Sequence, residues 1–593
     1  MILDDNQLAA ATSDAARICV RAVPGSGKTR TLVARIAYML ERRVPPSEIV
    51  CLTFTRYAAR EIQSRLGSAA RSVFAGTFHS FFFKLISQYG RSRGWDRSWL
   101  TILDEAETDI ETHGALRAVG ILKANGDWKE NEKAAWDHWC MEYTSTGVLP
   151  TANPAARADI EKYERYANAW RLIEHRLKAE NCMTFATLSF ETLALLRQPE
   201  TGDAILADYA HLVVDESQDT DGLQWSFLNT LNPATLFIVG DADQSIYGWR
   251  GGQPNLMLDY AKRDNTENHS LDVSYRFGDS IGQPATRLIK HNEERFDSEI
   301  HAVPNAKSTA ITISDCNMQT LSVEIQRACE PYKARGDYEK HVAILARTHS
   351  ILDSIADTNI GVPTCHIGGS RDLTKTGIFR AVRGYLRLAV NPDDNRAFMA
   401  IATAERISDD NLLSIRGIAN DQQRSFLDVY MSETPIETLM ALPELPKTLD
   451  DIQAYLANRL PDAWHADLAA AINYIRTQAF HEGVNEADTK ALVSMLAFSA
   501  SDQDKLIQSA GKVPLLTIHA AKGLEWDVVF LVGLNDGIMP SARSIREGKG
   551  AEEERRLAYV AITRARKHLY AVHLRNIIKP TASPFIKEAW PTI

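Results

Sequence analysis

The stretch Ala22-Val23-Pro24-Gly25-Ser26-Gly27-Lys28-Thr29 follows the apolar run Ile18–Val20 and precedes a helix-patterned run, Thr31–Leu40. A strand, a glycine-bearing loop and a helix start, in that order, let backbone N–H groups close on a phosphate while the helix N-terminus adds the positive end of its dipole. In that frame Lys28 reaches the β- and γ-phosphates and the Thr29 hydroxyl ligates Mg²⁺. Ala22 stands where the general pattern has its first glycine, and Arg30 carries the loop into the helix. The stretch predicts a nucleoside triphosphate site, and with it an α/β sheet.

Outward from this loop, further short apolar runs read as buried parallel strands: Ile49–Phe54, His211–Val214, Leu236–Val239, Val342–Ala346, Leu515–Ile518, Val528–Val532 and Leu569–Val572. They alternate with helical patterns, as α/β architecture requires. Two long stretches of helical spacing interrupt them, from about residue 90 to 197 and from about 391 to 509, the second marked by Pro435, Pro443, Pro446 and Pro461. The simplest organisation is two α/β motor domains, each interrupted by a mostly helical insertion. The expected boundaries are 1–89 and 198–272 for the first motor, 273–390 and 510–593 for the second.

A second acidic feature supports hydrolysis rather than binding alone. His211-Leu-Val-Val214 ends in the adjacent carboxylates Asp215 and Glu216. Phosphoryl transfer needs one group to hold the metal and another to orient water, so Asp215 suits the metal and Glu216 the base.

Composition sets limits. The 593 residues carry a net charge of −10, with 45% hydrophobic residues. A nucleic-acid partner would therefore be held in a local groove rather than by a global field. The seven cysteines contain no C-x-x-C, and neither a bilayer-spanning run nor a secretory signal is evident. A cytoplasmic setting is expected.

The acidic strand continues as V-V-D-E-S-Q-D-T (213–220), followed by I-V-G-D-A-D-Q-S-I-Y-G-W-R-G-G (238–252). With L-T-F-T-R-Y-A-A-R-E-I (52–62), A-G-T-F-H-S (75–80), S-Y-R (274–276), L-L-T-I-H-A-A-K-G-L-E-W-D-V-V-F (515–530) and E-E-E-R-R-L-A-Y-V-A-I-T-R-A-R (552–566), the chain resembles the UvrD/Rep/PcrA-like superfamily 1A helicases over nearly its whole length. The resemblance implies two RecA-like motor domains, ATP and Mg²⁺ as cofactors, and single-stranded DNA and its junctions with duplex as partner. It implies that Gln7 reads adenine, Tyr275 stacks on the base and Glu525 contacts the ribose. Gln244 then senses the γ-phosphate, while Arg276 and Arg564 reach it from the second motor. Cations placed across a cleft also meet an elementary need, because charge develops on the transferred phosphoryl group.

The same resemblance lays a DNA track along Phe54, Thr77, His79, Tyr247, Trp249, Arg250 and His519, with Trp249 stacking on a base. Aromatic faces and backbone-directed cations grip single strands without reading sequence. Trp95, Trp99, Trp136, Trp139 and Trp170 read instead as packing in the first insertion, and Phe81–Phe83 as core. Departures from the family pattern are Arg56 and Tyr57 for a usual Asn-Lys, with Arg56 still placed to meet a phosphate, and Thr187 near the usual position of an acid. In I-G-G-S-R-D-L-T-K-T-G-I (367–378) the glycine pair and Arg371 fit, but an aromatic pair and an acid are missing. The expected activity is ATP-driven 3′→5′ translocation that separates duplex strands. The alternatives are a protein-displacing translocase that unwinds weakly and a partner-binding subunit of a recombination complex.

Overall fold

The computed structural model describes residues 3–67, 72–96, 100–123, 125–129, 132–148, 150, 157–303, 309–358, 360–368, 372–433, 446–497, 506, 509–546, 550–575 and 581–591. Trp99, Gly369, Arg371, Pro435 and Pro443 lie outside them. Continuous apolar runs make strands that need cover on both faces, and such strands assemble into parallel sheets flanked by helices. Six form one sheet: β1 (Arg17–Ala22), β2 (Ile49–Thr53), β3 (Phe74–Thr77), β4 (His211–Val214), β5 (Thr235–Gly240) and β6 (Glu267–Leu271), in the order β3-β2-β4-β5-β1-β6. Six more form the second: β7 (Ala310–Cys316), β8 (Val342–Ala346), β9 (Thr364–His366), β10 (Val513–Thr517), β11 (Trp526–Val532) and β12 (Ala565–Leu574), in the order β7-β12-β11-β8-β10-β9. All pairings within the two sheets are parallel. This is the architecture of two RecA-like motor domains.

The eight strands expected from the sequence are all present and are the interior strands of the two sheets. The four that the apolar runs did not reveal, β3, β6, β7 and β9, are the four edges. Edge strands need no full apolar cover, and β6 reads Glu-Asn-His-Ser-Leu with only its last residue buried.

The first core joins Ile18, Val20, Ile49, Cys51, Val213, Phe237 and Val239 to Leu32, Val33 and Ile36 of helix α2 (Lys28–Glu41). The second gathers Val342, Ile344, Val513, Leu515, Val528 and Phe530.

The chain divides into two compact units. One comprises Met1–Arg97, Glu111–Ile367 and Ser509–Ile593, and so holds both sheets with most of the first helical insertion. In that insertion the rings of Trp136 and Trp139 stack at 5.6 Å, with Trp139 also against Tyr166 and Trp170, which is the packing role expected of them. Phe81 and Phe82 are buried and Phe83 is half-buried. Thr187 has a local duty: its hydroxyl accepts from the Thr184 N–H (2.8 Å) while the Thr184 hydroxyl accepts from the Thr187 N–H (3.2 Å), a capping box that starts the helix Phe185–Leu196.

The other unit comprises Ser98–Ile110 and Gly368–Gln508 and is helical. The helix Gly377–Val390, placed by the sequence pattern in the second motor, buries Val382, Tyr385 and Leu386 within this body, alongside Leu468, Ile472 and Ile475. At its centre Glu405 is fully buried and accepts hydrogen bonds from Tyr455 (2.9 Å), Tyr430 (3.4 Å) and Tyr385. It also pairs with Arg459 at 2.7 Å.

Candidate active site

Because β1, β4 and β5 are parallel neighbours or near neighbours, their C-terminal ends carry Ala22, Asp215 and Asp241 to one edge of the first sheet. Helix α2 opens at Lys28, and its N-cap, Gly27, has φ +83° and no side chain to satisfy the first-turn N–H groups. Gly25 has φ +78°. A Cβ on Gly25 would come within 2.6 Å of Arg276 Cβ, and one on Gly27 within 2.6 Å of Gln7 Nε2. Both glycines are therefore required twice, by conformation and by close approach. Ala22, Val23, Pro24 and Ser26 are buried, Thr29 is half-buried and Arg30 is exposed. The Ser26 hydroxyl is enclosed without a hydrogen-bond partner among the described residues. An uncapped helix start, a nearby ammonium and an unsatisfied hydroxyl fit a phosphate chain.

Lys28 Nζ lies 2.8 Å from Glu216 Oε1. Glu216 adopts φ +49°, a left-handed conformation that turns its side chain back toward the loop. Asp215 Oδ1 accepts from the Glu216 N–H at 2.9 Å. Burial, and then the Glu216 charge, push the Asp215 carboxyl up to about 7. Burial also acts to raise Glu216, but Lys28 and Lys522 outweigh it and hold that carboxyl down at about 2. The Thr29 hydroxyl and the Asp215 carboxylate are hard oxygen donors of the kind Mg²⁺ takes alongside phosphate oxygens.

The second sheet supplies cations to this edge. Arg564, buried, donates from Nη2 to Gln244 Oε1 at 2.9 Å, while Gln244 Nε2 donates to Asp241 Oδ2 at 2.8 Å. Burial, and then Arg276, pull Arg564 down to about 9, so the guanidinium keeps its charge at neutral pH. Arg276 is engaged by Glu525 (2.5 Å) and by the Thr563 carbonyl (2.9 Å). Glu525, expected against ribose, is thus the partner of Arg276. Two residues inside the quoted motifs went unassigned: Lys522 pairs with Asp219 in the interior and donates to the Gln244 carbonyl at 2.5 Å. Nothing in composition separates that lysine from a solvated one.

Gln7 is fully buried and donates from Nε2 to the Ser26 carbonyl at 2.8 Å. The Tyr275 N–H donates to the Gly25 carbonyl at 2.9 Å, and its half-exposed ring reaches Asp4. Both expected base contacts therefore border the phosphate loop.

Of the expected track, Phe54, Tyr247, Trp249, Arg250 and His519 come together. Phe54 stacks on Tyr247 at 4.4 Å, and the Tyr247 hydroxyl donates to the His519 carbonyl at 3.0 Å. Tyr247 is buried, and its ring is covered by that of Phe54. Trp249 is 48% exposed, its ring edge-on to His519 at 6.4 Å and under the Arg250 guanidinium at 4.6 Å. His79 packs instead against Phe185 at 4.8 Å. The Thr77 hydroxyl caps the helix Phe78–Tyr89 by accepting from the Ser80 N–H at 3.2 Å. Arg56 opens the helix Arg56–Leu66 and is half-buried. Burial and Arg250 pull His79 down to about 4; burial, Arg347 and Arg250 pull His519 down to about 3. Both rings are neutral at physiological pH. No described helix is long and apolar enough to cross a membrane.

Comparison with known proteins gives two family matches: the UvrD/REP helicase N-terminal domain over residues 3–265 and the UvrD-like helicase C-terminal domain over residues 466–576. The chain is 29% identical to the ATP-dependent DNA helicase PcrA of Bacillus subtilis, across 93% of this chain and 80% of that protein. It is 27% identical to the PcrA helicase of Leuconostoc citreum, across 96% and 81%. To the DNA helicase II of Rickettsia typhi it is 27% identical, across 99% and 95%.

Proposed function

Because this chain belongs to the UvrD-like helicase family, we propose that it is an ATP-dependent DNA helicase that translocates 3′→5′ on single-stranded DNA and separates duplex strands at junctions. The observation that carries the reading is the bond from Arg564 to Gln244, which ties a cation of the second motor to the expected γ-phosphate sensor of the first. A few residues further along the same segment, Trp249 is open to solvent. Nucleotide sensing and DNA contact then share one short stretch of chain.

In this reading Lys28 and the first-turn N–H groups of α2 hold the phosphates, and ATP draws Lys28 away from Glu216. Glu216, ionised at neutral pH, accepts the proton of the attacking water. Arg564 and Arg276 balance charge on the transferred group, Arg276 first exchanging Glu525 for phosphate oxygen. Thr29 and Asp215 would hold Mg²⁺, which would supply neutralisation of the phosphate charge. Gln7 and Tyr275 take the base. The motors are assigned to 1–89 with 198–272 and to 273–367 with 510–593, the helix Gly377–Val390 going with the helical body.

The test measures ATPase with and without single-stranded DNA, and unwinding of partial duplexes bearing a 3′ or a 5′ tail. DNA-stimulated ATPase with unwinding of only the 3′-tailed substrate is expected. Unwinding confined to the 5′-tailed substrate would overturn the polarity, and ATPase indifferent to DNA would overturn the motor.

A further inference from the structure

Asp4 precedes helix α1 (Asp5–Thr12) and has no place in the reading above. One oxygen of its carboxylate accepts from the Gln7 N–H at 2.8 Å, and the Gln7 amide oxygen accepts in return from the Asp4 N–H at 3.2 Å. The other carboxylate oxygen accepts from the Tyr275 hydroxyl at 2.5 Å. Tyr275 is also bound through its N–H to the Gly25 carbonyl, and Gln7 through Nε2 to the Ser26 carbonyl. Since Gly25 and Ser26 are consecutive, these bonds close a circuit that runs from Asp4 to Tyr275, to the phosphate loop, to Gln7 and back to Asp4.

The circuit has two chemical consequences. With one N–H of Gln7 Nε2 given to the Ser26 carbonyl and its oxygen held by the Asp4 N–H, the amide is fixed in orientation and keeps one N–H and one lone pair on that oxygen. An acceptor there matches the exocyclic amine of adenine and opposes the carbonyl oxygen of guanine. Meanwhile the Tyr275 ring, 45% exposed, is fixed at its hydroxyl as well as at its backbone. Its hydrogen bond to Asp4, aided by burial, holds the phenol up at about 12, so it remains a donor at neutral pH.

We propose that Asp4 is a positioning residue for base recognition: one carboxylate registers the stacking ring of Tyr275 against the base-reading amide of Gln7. This rests on the nucleotide site proposed above. It adds to that site a residue that aligns two base contacts arriving from chain segments about 270 positions apart.

The variants separate alignment from helix capping. Asp4→Ser keeps a capping oxygen but is too short to reach the Tyr275 hydroxyl; Asp4→Asn keeps the capping oxygen and sets an amide N–H opposite the Tyr275 hydroxyl, which can accept it. KM values for ATP and GTP are measured with saturating single-stranded DNA, alongside thermal melting and binding of a fluorescent ATP analogue without DNA. Asp4→Ser is expected to raise KM for ATP about 3- to 10-fold, the scale of one hydrogen bond, and KM for GTP by less, with the melting temperature held. Asp4→Asn is expected to restore the ATP preference. Tyr275→Phe is expected to match Asp4→Ser, and the double variant to be no worse than either. Equal changes for ATP and GTP, additive effects in the double variant, or an Asp4→Ser protein indistinguishable from wild type would each overturn the inference. If the wild-type protein neither binds nor hydrolyses ATP, the functional reading itself falls. If it does both and only the Asp4 pattern is missing, this inference falls alone.

Discussion

Glu405 in the helical body and Glu216 in the nucleotide cleft are both carboxylates drawn out of bulk water, and their surroundings differ in kind. Around Glu405 three tyrosine hydroxyls and one guanidinium converge. Around Glu216 stand one ammonium at 2.8 Å and the Gln218 amide at 2.5 Å. Near it Ser26 Oγ, Ser217 Oγ and Asp219 Oδ1 are enclosed with no hydrogen-bond partner among the described residues. Interiors normally pair such groups, so a closed set marks a structural knot, whereas unpaired groups beside an ion pair mark a place where a ligand completes the bonding. The same residue type is thus fully satisfied within the fold in one region and, in the proposed reading, stands ready for chemistry in the other.

The largest effect that would break this comparison belongs to Glu216→Gln. Loss of the proton acceptor should lower kcat by about 10²–10⁴-fold while ATP binding and melting temperature are kept. A variant that melts early yet turns over normally would make Glu216 a second Glu405. Next comes Glu405→Ala, which strands Arg459 and three phenols and should cost about 3–5 kcal/mol in denaturant unfolding of the helical body. A loss under about 1 kcal/mol would show the knot to be dispensable. Trp249→Ala should weaken single-strand binding by about 1–3 kcal/mol, measured by anisotropy, without lowering the melting temperature of a residue this exposed. Early melting with unchanged DNA stimulation would instead make that ring part of the core.

Two smaller effects sharpen the contrast. Arg250→Ala should reduce the slope of log affinity against log salt by about 0.7, the share of one single-strand phosphate contact. His79→Gln and His519→Gln should leave the slope alone, because both rings are already neutral. A slope that drops with either histidine would show it to be charged when DNA is bound. Smallest of all, Ser26→Ala should change stability by no more than about 0.5 kcal/mol, since its hydroxyl has no partner to lose. A larger loss would mean that the hydroxyl is structural.

The sequence announced what is buried and periodic. All interior strands were legible because parallel strands covered on both faces must be apolar throughout. The edges β6 and β7 were not, since half-solvated strands such as Ala-Ile-Thr-Ile-Ser-Asp-Cys tolerate polar residues. The phosphate loop was legible because its glycines answer to local geometry. Asp4, Asp219 and Lys522 were hidden for the opposite reason: each takes its meaning from a partner far along the chain, and no local pattern records that. Tyr247 was legible as an aromatic beside the track, but its burial beneath Phe54 depends on three-dimensional packing.

The strand order also constrains how the molecule comes into being. Among the described residues the strand that delivers the phosphate loop, β1, pairs with β5 and β6, which are synthesised more than 200 residues later. At about 5–20 residues per second, a ribosome leaves β1 without either neighbour for some 10–40 seconds. The second motor repeats the pattern, with β8 waiting for β10 and β11 until the helical body between them has been made. Each insertion therefore emerges before the sheet that carries it can close. The nascent chain carries bare apolar strands through that interval, and chaperone occupancy during synthesis should peak on the two segments around β1 and β8.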